Sequence, residues 1–173
     1  MSRTKKLVFM ALLTAISLGI WVLEAQIPPP VPVPGVKLGL ASVVTLAAMA
    51  LLGRKEALAV LLVRVFLACL FAGSFSAILF SLTGGVLSWG VMALTVRLFE
   101  DRLLWVVSVF GAVAHNAGQL LAAVAVTRTP ALFAYGPALL VSAILTGVFT
   151  GVAAFYLIRA LKKRIPKEDP SFR

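Results

Sequence analysis

The sequence predicts an all-α integral membrane protein of six transmembrane helices, with both termini in the cytoplasm. Three observations carry that expectation. Of 173 residues, 61% are hydrophobic and only 13% charged, against roughly 25% charged in soluble domains, and the mean hydropathy is +1.06. The apolar residues fall into runs, and at about 20 residues per helical crossing the chain has room for about six spans and no extramembrane domain. Lys and Arg collect at the ends of those runs, so the net charge of +10 reads as topogenic charge rather than as a nucleic-acid surface.

The first span is expected over residues 7–27. The preceding M-S-R-T-K-K resembles a signal peptide, but the apolar stretch is too long for an h-region and lacks a small-residue exit, which predicts a retained helix. Ala11, Ala15 and Gly19 recur every four residues. That spacing makes a smooth stripe, open to close approach by a helix of the same bundle or of a separate partner. Glu24 is expected near the outer interface, where an acid sits at modest cost.

Pro28 to Gly35 reads P-P-P-V-P-V-P-G. Proline fixes φ and lacks an amide donor, so the segment is extended and stiff, either a plain loop or a wall over a site, with Lys37 at its foot. The second span is expected over 38–52 and the third, carrying Arg64, over 57–71. A guanidinium at that depth must face the bundle interior or a watery cavity. After a tight turn at Gly73-Ser74, the fourth span is expected over 75–98, with Thr83-Gly84-Gly85 as a kink or close-approach point. The fifth is expected over 105–126. T-R-T-P and Gly136-Pro137 make the next loop, the sixth span covers 138–161, with Ala143, Gly147 and Gly151 again four apart, and 162–173 form a polar cytoplasmic tail.

Thirteen of the sixteen Lys and Arg lie on one side of this scheme, with Lys37 and Arg128 on the other and Arg64 inside a span. The excess places both termini in the cytoplasm and the Pro-rich loop outside.

The fifth span contains A-H-N-A-G-Q, Ala114 to Gln119, with the sole histidine of the chain. His115 and Gln119 share a helix face, while Asn116 is rotated by about 100°. Together with Lys37 and Arg64 they are candidates to line an outward-opening pocket for a small molecule with an anionic or hydrogen-bonding head group. An interhelical polar network that only fixes packing is the competing reading. Catalysis is not expected, because Asp101 and Asp169 lie in cytoplasmic segments, away from His115. Neither G-x-x-x-x-G-K nor H-E-x-x-H occurs, and the single Cys69 builds no metal cluster. No cofactor, metal or nucleic-acid partner is expected.

Three motifs, P-G-V-K-L-G-L-A (Pro34–Ala41), L-L-V-R-V (Leu61–Val65) and G-A-V-A-H-N-A-G-Q (Gly111–Gln119), resemble the small membrane family labelled Gx transporter, also labelled heptaprenyl diphosphate synthase component I. That family is in turn similar to the substrate-binding S components of energy-coupling factor (ECF) transporters. Ser42 stands where the family pattern leads one to expect asparagine. The resemblance implies an S-component-like six-helix bundle that captures a small molecule. A transmembrane coupling protein and cytoplasmic ATPases would drive it, and the coupling protein would meet the A-x-x-x-A matched by Ala11 and Ala15. The alternative is a non-catalytic membrane subunit of isoprenoid, heptaprenyl diphosphate or quinone metabolism. Prenyl elongation itself needs clustered aspartates to hold magnesium and diphosphate, and this chain has no such cluster.

Overall fold

The computed structural model describes residues 2–27, 39–73, 75–99 and 103–164. Six helices follow one another: α1 (Arg3–Glu24), α2 (Ser42–Leu51), α3 (Arg54–Ala72), α4 (Phe75–Thr95), α5 (Leu104–Thr127) and α6 (Gly136–Arg164), with a 3-10 turn at Pro130–Tyr135. The described residues contain no strand. α1, the stretches 78–95 and 104–127, and the stretch 130–162 are long and apolar enough to cross a membrane. α3 has 19 residues but carries Arg54, Lys55, Glu56 and Arg64, so composition alone does not place it with them.

Several boundaries differ from the sequence-based expectation for local reasons. α1 begins at Arg3 because the Ser2 hydroxyl accepts from the Lys5 amide at 3.4 Å and caps the helix. α6 begins at Gly136 rather than 138, since Pro137 falls in its first turn, where no amide donor is needed. It runs to Arg164 and so absorbs the start of the expected tail. Lys and Arg are good helix formers and suit the negative end of the helix dipole. α3 starts after Gly53 (φ 113°) and stops at Gly73 (φ 60°), whose left-handed backbone supplies the expected tight turn.

The largest departure is α2. Its ten residues rise only about 15 Å, half of a hydrocarbon core of about 30 Å. It is nonetheless the hub, with seven of the ten buried and contacts to all five other helices. The main apolar core forms around it from Leu13, Leu46, Val60, Met92, Val107 and Ile158. These lie near the starts of α3 and α5, the ends of α4 and α6, and the first half of α1. α1, α3 and α5 therefore run in one direction and α4 and α6 in the other, and the start of α1 and the end of α6 share one end of the bundle. At that end Lys6 Nζ donates to Glu56 and ties α1 to α3.

Because α2 fills only that half, a recess is left above its N-terminus, walled by the middles of α3, α4 and α5.

Candidate functional site

Gly39 to Ala41 enter α2 as a non-helical turn, with Gly39 at φ 78°, a conformation that favours glycine. Its amide donates to Glu24 Oε1 at 2.6 Å and the Leu40 amide donates to Oε2 at 3.1 Å. Glu24 is only 4% exposed, which corrects the expectation of an acid at the outer interface. The last residue of α1 instead closes the N-terminal end of α2 as an internal capping anion, a placement that the helix dipole favours.

The recess is a narrow cavity lined by Trp21 and Glu24 of α1, Gly39, Ala41, Ser42 and Thr45 around the start of α2, and Leu61 and Arg64 of α3. Ser81, Gly85 and Ser88 of α4 and His115 and Gln119 of α5 complete it. Its interior has room for about one or two water molecules. Two close approaches shape the wall. A Cβ on Gly118 would stand 2.8 Å from Gly84 Cα, so α4 and α5 cross backbone to backbone; one on Gly84 would meet Gln119 Cγ at 2.9 Å and the His115 ring at 3.1 Å. On the other side the His115 ring lies so near Gly39 that an added Cβ would be 2.9 Å from Cδ2. The imidazole is thus clamped between two glycines. Thr83-Gly84-Gly85 is a close-approach point inside a continuous α4, not a break.

Arg64 is buried and lines the same cavity as Glu24. Its Nε has no hydrogen-bond partner, and neither does Ser88 Oγ. Glu24 ties α1 to the entry of α2 through the Gly39 and Leu40 amides, and Arg64 of α3 lines the same cavity.

Of the sequence candidates, Arg64, His115 and Gln119 meet in this cavity. Asn116 does not line it. Its Nδ2 donates to the Leu139 carbonyl of α6 at 3.0 Å, a packing contact explained by the 100° rotation from His115. Lys37 and the Pro-rich segment fall outside the described residues. Ala11, Ala15 and Gly19 are exposed on the far side of α1, away from the cavity face carrying Trp21 and Glu24.

Sequence reading missed Glu24, Trp21, Thr45, Ser81 and Ser88 as cavity residues. A signal was present: Trp21 and Glu24 are three apart, Ser42 and Thr45 three apart, and Ser81, Gly85 and Ser88 four and three apart. Polar or small residues at helical spacing within apolar runs mark an inward face. Ser42, the departure from the family pattern, is the first residue of α2 and faces the cavity.

A family model described as Heptaprenyl diphosphate synthase component I matches residues 13–157, a stretch that contains every described cavity residue. No curated protein and no solved structure matches the chain.

Proposed function

The chain belongs to the heptaprenyl diphosphate synthase component I family, and we propose that it serves as the substrate-capture subunit of an ATP-driven small-molecule importer, in the manner of an ECF S component. The observation that carries this reading is the half-length α2 beneath a polar cavity. Irregular backbone at membrane depth is tolerated where it lines a binding site, and discontinuous helices that end at mid-depth are a recurring way to build one. Six spans follow if the chain enters from outside to reach Gly39 and α2 completes the crossing to Arg54-Lys55. The positive charges then put both termini in the cytoplasm of a cell-membrane protein, with the cavity on the outer half.

The sequence has no G-x-x-x-x-G-K phosphate loop, so in this reading the energy comes from partners: a transmembrane coupling protein and cytoplasmic ATPases. The exposed Ala11-Ala15-Gly19 stripe is the surface for the coupling protein, supported by its smoothness and by the apolar Leu12 and Ile16 beside it, both at least half exposed. Affinity co-purification from the native membrane tests the proposal. Wild type should bring down a multispan protein with ATPase subunits, and Ala11→Leu with Ala15→Leu should abolish this while the chain stays folded. Wild type purified from that membrane without any such assembly would falsify the importer reading.

A second reading, a non-catalytic membrane subunit of isoprenoid or quinone metabolism, is favoured only by the description of the family. It expects loss of long-chain prenyl product on deletion, with uptake unchanged.

A further inference from the structure

Sequence alone left the ligand's head group as either anionic or hydrogen-bonding; the cavity chooses between them. Among the described residues that line it, the charged groups are Arg64 and Glu24. Their opposite formal charges share one cavity wall, and both Glu24 oxygens are engaged by the amides of Gly39 and Leu40. The charge of this wall is therefore already cancelled. The N-terminus of α2, which would otherwise attract an anion, is already served: Glu24 caps the entering turn, and the amides of Ser42, Val43 and Val44 bond to the carbonyls of Gly39, Leu40 and Ala41.

Donors, by contrast, are left over. Arg64 Nε and Ser88 Oγ are both buried and lack a hydrogen-bond partner, and both residues line the cavity. They flank the close packing of Leu61 on Gly85: Arg64 lies three residues beyond Leu61 and Ser88 three beyond Gly85. A guanidinium has donors and no acceptor capacity. An arriving acceptor would therefore satisfy groups whose bonding is otherwise forfeited, whereas an arriving anion would add an unbalanced charge in a buried site.

We infer that the cavity takes its ligand through an uncharged, hydrogen-bond-accepting group, such as a carbonyl, an amide or a ring nitrogen, presented to Arg64 Nε and Ser88 Oγ, and that it discriminates against carboxylates and phosphates. The biological role of this selectivity rests on the capture-subunit reading; the selectivity itself does not. The narrow interior takes only a small head group beside the Trp21 indole, and the remainder of the ligand stays towards the mouth.

Acetamide and acetate test this directly, being equal in heavy-atom count and different in charge. The full chain is labelled with 5-fluorotryptophan, purified in detergent and titrated with each probe at constant ionic strength. The 19F signal of Trp21, assigned through Trp21→Phe, is followed among the three tryptophans. Acetamide should shift it saturably, with a Kd at least about tenfold below that of acetate, the ratio expected for roughly one net hydrogen bond. Ser88→Ala should remove most of that advantage. Glu24→Gln keeps a carbonyl acceptor for one of the Gly39 and Leu40 amides, sets an NH2 against the other, and leaves Arg64 unbalanced, so the preference should reverse towards acetate.

Acetate binding as well as acetamide in the wild type overturns the inference, as does saturation by neither probe or an unchanged preference in Glu24→Gln. These outcomes leave the importer reading standing. Absence of a coupling assembly removes that reading and leaves the probe preference intact.

Discussion

In α6, Ala143 is fully buried, a Cβ on Gly147 would stand 2.6 Å from Val109 Cα, and one on Gly151 would come closer still to Trp105 Cα. In α1, Ala11, Ala15 and Gly19 have the same spacing, yet all three are exposed and nothing lies within 4 Å of a Cβ on Gly19. One stripe is a notch already filled by α5. The other is a notch with none of the described helices in it. Identical sequence signatures thus separate into an internal seam and an outward surface, and what separates them is how each helix is held. α6 meets α5 backbone to backbone, reinforced by the Ser108–Thr150 hydroxyl pair at 2.8 Å. α1 leans mainly on α3 and the short α2, through Glu24 at one end and Lys6 at the other.

Substituting the seam should have the largest effect. Gly151→Leu forces a side chain against the Trp105 backbone, which cannot rotate away, so destabilisation of about 1–3 kcal/mol or more is expected. It is read as a lower thermal midpoint in detergent. An unchanged midpoint would mean that the α5–α6 seam is looser than its contacts. The equivalent Ala15→Leu on α1 should move the midpoint by less than about 0.5 kcal/mol, as exposed positions usually do.

Next in size is Asn116→Ala, which removes the side-chain donor to the Leu139 carbonyl while the backbone ladder of α6 still serves that oxygen. A loss of about 0.5–1.5 kcal/mol is expected for one net buried hydrogen bond, with the acetamide titration unchanged because Asn116 faces α6. Altered probe affinity without a stability change would place Asn116 in the cavity after all.

The two stripes also mark how far sequence reading carried. Helix count and approximate ends were legible, because apolar run length and flanking charge report directly on burial and on the membrane boundary. Arg64, His115 and Gln119 were legible as a set because polar groups in apolar runs must converge on something. Three things were not. A stripe of small residues permits close approach but does not name the neighbour, so α1 and α6 looked alike. The length of α2 was overestimated because Leu38 to Ala41 continue its hydrophobic pattern, whereas Gly39 takes a positive φ and the chain turns there. Glu24 looked like an interfacial acid because its partners are the backbone amides of Gly39 and Leu40, donors that every residue type offers and that no motif advertises.

A smaller effect probes the open stripe itself. Gly19→Ala adds a methyl group into space and replaces a poor helix former by the best one, so the isolated chain should gain up to about 1 kcal/mol. If the same variant loses the coupling protein, Gly19 belongs to the docking surface as well as Ala11 and Ala15; a lower midpoint instead would show α1 packed on that face.

The smallest effect concerns the attachment of α1 at its Lys6 end. The hydrogen bond from Lys6 holds the Glu56 carboxyl below its ordinary value of 4.5, with the charges of Lys6 and Lys55 adding to it. The folded state therefore binds this proton less readily than the unfolded chain. The pair contributes stability at pH above the ordinary carboxylate value, and the contribution is lost as pH falls through the lowered one. For a partly exposed pair it amounts to about 0.2–1 kcal/mol and weakens with salt. Wild type should accordingly be slightly more stable than Glu56→Gln at neutral pH, and the two should converge in acid. Gly151→Leu should show no such convergence, since the contacts it breaks, with Trp105 and Ser108, involve no titrating side chain. A gap between wild type and Glu56→Gln that persists in acid would mean that α1 is held at this end by packing, as α6 is, and would dissolve the contrast between the two helices there.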